Sequence, residues 1–210
     1  ANGPKPTVDG RLPDPNRRQG QQVGELVAFT QTLLRRCAKI RDKIWNKVDR
    51  SNLKTWAGTV EPYRDMVYNE LIGRLPRPNV PPNVRTRQVL DTPAYRGWET
   101  VIDVYPDVIA GGILLMPKDI KPGEKRPVVV CQHGLEGVPM DTITEKGPGF
   151  GPYKAFAARL AKRGFITYAP QNPYRGRDRF RTIQRKSNPM KRSLFSYIIP
   201  QHERTLEWLS

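Results

Sequence analysis

Hydrophobic and polar positions change period along this chain, and the changes divide it. From Val23 to Val48 the apolar residues Val23, Leu26, Val27, Leu33, Leu34, Cys37, Ile40, Ile44 and Val48 recur every three or four positions. That spacing predicts one stripe of a long amphipathic helix, with Arg35, Arg36, Lys39 and Lys43 mostly off the stripe. A second helix is predicted to start after Thr59, with Pro62 in its first turn, and to end near Gly73; Met66, Val67, Leu71 and Ile72 form its apolar side. Further on the period shortens. Trp98 to Tyr105 and Val108 to Met116 read as two strands of an antiparallel hairpin turning at Pro106 and Asp107.

Val128 to Cys131 is a continuous apolar run, the pattern of a strand covered on both faces of a mostly parallel sheet. A helix from Pro152 to Arg163 follows, with Pro at its start and Gly164 just past its end. Phe165 to Ala169 is the next strand, so residues 127–169 form a β-α-β unit, for which a right-handed parallel crossover is expected. A last helix is predicted from Ser193 to Leu209, kinked at Pro200. The fold class is α/β. Residues 1–20, rich in Pro, Gly, Asn and Arg, read as an extended arm. Residues 21–95 read as a helical extension ending in a stiff connector that carries Pro76, Pro78, Pro81 and Pro82, and residues 96–210 as the sheet domain.

Composition refines this reading only in part. The 210 residues suffice for one domain with an extension, and no apolar run is long enough to span a membrane. The formal charge is +16, spread over the chain rather than held in a tail. Such a balance suits nucleic acid, an anionic surface or an acidic partner, and says nothing about fold. The chain opens on Ala1 without Met, which leads us to expect a removed signal peptide and a secreted or periplasmic location. Cys37 and Cys131 form no CxxC pair and read as core thiols, so neither a metal site nor a cofactor is expected.

Candidate chemistry begins where the apolar run meets the polar turn Gln132, His133, Gly134. In open α/β sheets ligands bind at the carboxyl ends of strands, which makes that turn the first place to look. From Tyr174 to Arg192 bases dominate, Arg175, Arg177 and Arg179 among them, with Asp178 as the single acid. This stretch is expected to be an exposed loop above the sheet, able to steer an anionic substrate.

The hairpin, the strand ending in HGLEG, the segment YKAFAARLAKRG, the strand FITYAPQNPYRG and the end QHERTLEWLS together resemble the N-terminal half of an α/β-hydrolase, most like the acetyl xylan esterase and dienelactone hydrolase branch. The resemblance covers about residues 96–210 and leaves the first 95 unexplained. It implies a serine esterase acting on a small ester, with a triad and an oxyanion hole. It also implies that the main-chain N–H of Leu135 is one oxyanion donor, with His133 and Gly134 shaping the turn, and that Arg175, Arg177 and Arg179 line the mouth.

The departures are large. No G-x-S-x-G occurs: the serines are Ser51, Ser187, Ser193, Ser196 and Ser210. The only histidines are His133, read as a structural turn residue, and His202, read as a surface or capping residue of the last helix. Ester hydrolysis is therefore not expected of this chain alone. In the family's sheet the Val128 strand lies between the Phe165 strand and a fifth strand, so here it becomes an apolar edge without protective charge or proline. A second polypeptide or missing segment, the C-terminal half of the same hydrolase, is expected to cover it. Two rivals stand beside this reading: a basic protein that binds nucleic acid, which lacks interleaved aromatics and any recognisable reading motif, and a catalytically dead hydrolase-like interaction module.

Overall fold

A computed structural model describes residues 14–175 and 179–210. The chain divides into two compact units, Ala1–Arg64 and Asp65–Ser210. Helix α1 (Pro15–Trp45) belongs to the first unit, and helix α2 (Leu53–Met66) begins in it and ends just past its last residue. Helix α1 begins well before Val23, inside the stretch expected to be an extended arm; residues 1–13 of that arm lie outside the described residues. The reason is a cap: the Asp14 carboxylate accepts the N–H of Asn16 at 3.0 Å and Pro15 takes the first helical position. No apolar residue marks those first turns, so periodicity could not register them. Helix α2 likewise starts at Leu53 rather than after Thr59, because Asn52 Oδ1 accepts the N–H groups of Lys54 and Thr55 at 3.0 Å each. Pro62 therefore lies inside the helix and not in its first turn.

The second unit is mixed α/β around a five-stranded sheet of order β1-β2-β3-β5-β4. Its strands are β1 (Arg85–Asp91), β2 (Tyr95–Tyr105), β3 (Val108–Pro117), β4 (Val128–Val130) and β5 (Ile166–Pro170). The predicted hairpin is β2 and β3, in register from Tyr95 opposite Pro117 to Tyr105 opposite Val108. Strand β1 was not expected, and it lies within the stretch read as connector. Its residues are almost all exposed, so no alternation of apolar and polar positions announces it; cross-strand pairs Arg85–Asp103 (2.6 Å) and Arg87–Glu99 (2.5 Å) line it instead. Only β4 and β5 are parallel, so the described sheet is mostly antiparallel, not mostly parallel as the apolar run suggested.

Register shows that both faces are covered. Leu115 opposes Thr167, whose hydroxyl donates to the carbonyl of Ala157 on helix α4 (Phe156–Ala161). Ala157, Ala158 and Ala161 are small enough to bring α4 close to the sheet, where they join Ile113, Leu115 and Cys131 in one core cluster. Leu114 and Tyr168, one residue out of step, face the other way, where helix α6 (Phe195–Leu209) packs on β2 and β3 and buries Ile198 and Thr205. The proline connector is fixed to the same unit. The guanidinium of Arg204 donates to the carbonyl of Val80 at 2.6 Å, and the Tyr105 hydroxyl to that of Pro76 at 2.6 Å.

The helix expected over 152–163 is two pieces, α3 (Phe150–Tyr153) and α4, broken at Lys154 and Ala155, which hold φ of 52° and 51°. Two successive non-glycine residues in the left-handed region cost about 1–3 kcal/mol each and stop a helix at once. The expected Arg-rich loop also contains structure: helix α5 spans Phe180–Ser187, followed by a 3₁₀ turn over Asn188–Met190.

Candidate functional site

Strand β4 hands its backbone directly into the site. The N–H of Cys131 still donates to the carbonyl of Tyr168 on β5 at 2.7 Å, and pairing ends there. At Gln132 the side-chain amide donates to the His133 carbonyl at 2.9 Å and to Asn172 Oδ1, beyond β5, at 3.4 Å. These bonds tie together the loops that leave the carboxyl ends of the parallel pair β4 and β5.

His133 is 3% exposed and its Nδ1 lies 2.6 Å from the carbonyl oxygen of Gly134. A carbonyl only accepts, so Nδ1 carries a proton and, in the neutral ring, Nε2 is a bare acceptor. The N–H of Gly134 donates to the Tyr153 hydroxyl at 2.7 Å, and the N–H of Gly137 closes the turn onto the Gly134 carbonyl at 3.1 Å. The N–H of Val138 is held by Asp141 Oδ2 at 2.9 Å. The N–H groups of Leu135 and Glu136 have no acceptor among the described residues, and Leu135 is 55% exposed. The structure thus brings His133, Gly134 and Leu135 into one turn at the end of β4.

The other expected residues are placed less fully. Arg175 is exposed on the loop after β5, Arg179 stands at the start of α5, and Arg177 lies outside the described residues. Burial, and after it the charge of Glu136, raises the phenol of Tyr174, on the same loop, above the ordinary value. The loop after β5 is therefore within electrostatic reach of the turn.

His202 departs from its expected surface role. It is half-buried on α6, and its imidazole is held below the ordinary histidine range by burial and then by electrostatic coupling to His133. The two histidines, far apart in sequence, belong to one electrostatic neighbourhood. No spacing in the sequence could have revealed it, and Tyr153 and Asn172 were missed for the same reason.

Two acceptors at this end of β4, Gln132 Oε1 and His133 Nε2, are buried without a hydrogen-bond partner among the described residues. Buried polar atoms of this kind cost about 1–3 kcal/mol each unless something donates to them. A nucleophile is harder to find. Ser193 and Ser196 both donate to the carbonyl of Ile72 at 2.7 Å, and Ser187 donates to that of Ile183 at 2.5 Å. Cys131 is fully buried and its thiol is pushed up to about 11 by desolvation, so it is no thiolate at neutral pH. Cys37, expected in a core, is only half-buried. Among the described residues no group of three or more His, Cys, Asp or Glu is arranged to hold a metal ion. A cavity of about 480 Å³ between Leu90, Tyr95, Met140, Ile143 and the Lys162–Glu145 pair has no serine, cysteine or histidine in its described lining.

No family model matches the chain, and no curated protein matches it significantly. Among solved structures, a provisionally assigned acetyl xylan esterase from Bacteroides fragilis superposes with a TM-score of 0.58 at 17% identity, over 80% of this chain and 48% of that one. An acetyl xylan esterase from Paenibacillus sp. R4 matches with a TM-score of 0.32 at 17% identity, over 64% of this chain and 37% of that one. The chain spans about half the length of the first of these structures. The fold is esterase-like, as the resemblance in sequence implied.

Proposed function

We propose that this chain is the N-terminal half of a serine ester hydrolase domain and carries one side of its oxyanion hole. Its substrate is a carboxylic ester, with acetylated carbohydrate the leading class. The single observation that carries the reading is the Leu135 N–H: an amide without an internal acceptor, at the carboxyl end of β4, in a turn whose Gly134 and Gly137 amides are engaged. When a serine oxygen attacks an ester carbonyl, the carbonyl oxygen takes the negative charge, and a fixed main-chain donor stabilises it without reorganisation. One such donor is worth about 10²–10³ in kcat.

The serine, its histidine and the acid belong to a further segment or a companion chain. Strand β4 is the outer strand of the described sheet, with apolar residues and no charge or proline on it. The two unpaired acceptors, Gln132 Oε1 and His133 Nε2, lie at the end of that strand and give the covering piece something to donate to. Arg175, Arg177 and Arg179 would then stand at the rim.

The test is hydrolysis of p-nitrophenyl acetate and of acetylated xylan by residues 1–210 alone and by the full product of the gene. The chain alone should be inactive and the full product active, with Leu135→Pro, which deletes the donor, losing about 10²-fold or more in kcat. Ester hydrolysis by residues 1–210 alone, or none by the full product, would overturn the reading.

A further inference from the structure

We infer that Tyr153 is a positioning residue for the oxyanion turn: its hydroxyl and the His133 ring clamp Gly134 from opposite sides of one residue and so aim the Leu135 N–H. The catalytic consequence rests on the ester-hydrolase reading above; the clamp itself does not.

Three observations carry it. First, peptide geometry: the Gly134 carbonyl and the Leu135 N–H belong to the same planar trans unit and point in opposite directions. Drawing the carbonyl onto His133 Nδ1 at 2.6 Å and onto the Gly137 N–H at 3.1 Å sends the Leu135 N–H the other way, out of the turn. That still leaves the preceding peptide able to rotate. The Tyr153 hydroxyl removes this freedom by accepting the Gly134 N–H at 2.7 Å, so both peptide planes that meet at Gly134 are fixed.

Second, residue 134 is fitted to this contact. A Cβ at position 134 would lie 2.9 Å from Tyr153 Oη, closer than side chains approach, so any other residue would push the hydroxyl back from the Gly134 N–H. Its φ is not in the left-handed region, and the glycine serves the approach rather than the backbone conformation.

Third, Tyr153 sits where its helix is broken. It is the last residue of α3, and Lys154 and Ala155 turn left-handed directly after it. A continuous helix over this stretch would carry Tyr153 on the same rigid body as the alanines packed on the sheet. The break lets its ring take a separate direction, toward the turn, while Ala155 remains fully buried.

Tyr153→Phe removes only the hydroxyl. Amide exchange followed by NMR on residues 1–210 should show the Gly134 N–H exchanging about 10-fold faster in the variant, with the Cys131 and Tyr168 amides unchanged as reporters of an intact sheet. In the full gene product the same substitution should lower kcat about 10-fold with KM unchanged, because a misdirected oxyanion donor is lost only in the transition state. Unchanged exchange at Gly134 would overturn the clamp. Faster exchange with unchanged kcat would overturn the positioning role. A full product without esterase activity would remove the catalytic consequence, and the exchange measurement would still decide the clamp.

Discussion

Gly112 on β3 lies directly under the ring of Tyr168 on β5: a Cβ at position 112 would stand 2.5 Å from Tyr168 Cζ and 2.6 Å from the carbonyl oxygen of Ala169. Tyr168 is fully buried, so its ring has nowhere to retreat, and the carbonyl belongs to the sheet. Gly111, one residue earlier, has open space, its nearest neighbour being Thr100 O at 3.8 Å. Gly112→Ala should therefore destabilise the sheet by about 1–3 kcal/mol through overpacking, while Gly111→Ala costs far less. Urea unfolding of the two variants checks this, and equal midpoints would contradict the close approach.

His202 gives the fold a pH dependence with a definite sign. Its folded-state pKa is below the ordinary 6.5, so between the two values the unfolded chain binds more protons. Stability from this group is full above pH 6.5 and is lost as pH falls through that value toward the depressed one. Burial is the larger cause of the depression and the coupling to His133 the smaller. Thermal melts from pH 7 to pH 5 should show a decline in the wild-type chain that flattens in His202→Gln. Asp103, Glu124 and Glu145 are also held low, by their bonds to Arg85, Arg126 and Lys162, and their influence falls at lower pH, within the ordinary carboxylate range.

Cys131 should be chemically silent in the native state. It is completely buried and desolvation keeps it protonated, whereas Cys37 is partly accessible on α1. A thiol titration should count one reactive sulfhydryl in the native chain and two after denaturation. Modification of Cys131 at the same rate as Cys37 would mean that the β4 end opens readily.

The outer edge of β4 should make residues 1–210 self-associate. Register places the inward hydrogen bonds at Val129 and Cys131, which leaves the N–H groups of Val128 and Val130 directed away from β5. Proline at an outward position blocks pairing without breaking the inner ladder. Val130→Pro should shift the chain toward monomer in sedimentation, and an unchanged distribution would show that association, if present, uses another surface.

How much of this was legible in the sequence follows from how far apart the causes lie. The apolar run Val128 to Cys131, the hairpin and the strand beginning near Phe165 could be read because each signal is local and repeated. Strand β1 could not, since it is an edge strand held by charged pairs with β2 and shows almost no buried residue. The start of α1 depended on one carboxylate, Asp14, and the break after Tyr153 on two residues of ordinary helical character, Lys154 and Ala155, that take positive φ. The turn at His133 is marked in the sequence by the polar residues that follow the apolar run. What holds it, the Tyr153 hydroxyl, Asn172 and the charge shared with His202, comes from segments 20 to 70 residues away, roughly the separations that local patterns cannot carry.

The strand order has a consequence in time. Strand β4 is synthesised before β5, its one partner in the described sheet, and β5 in turn sits against β3. At about 5–20 residues per second a ribosome needs about 2–7 s to pass from Val130 to Ile166. During that interval the hairpin is already closed while three consecutive valines have no partner on either side. A nascent chain stalled there would be the form most dependent on a chaperone.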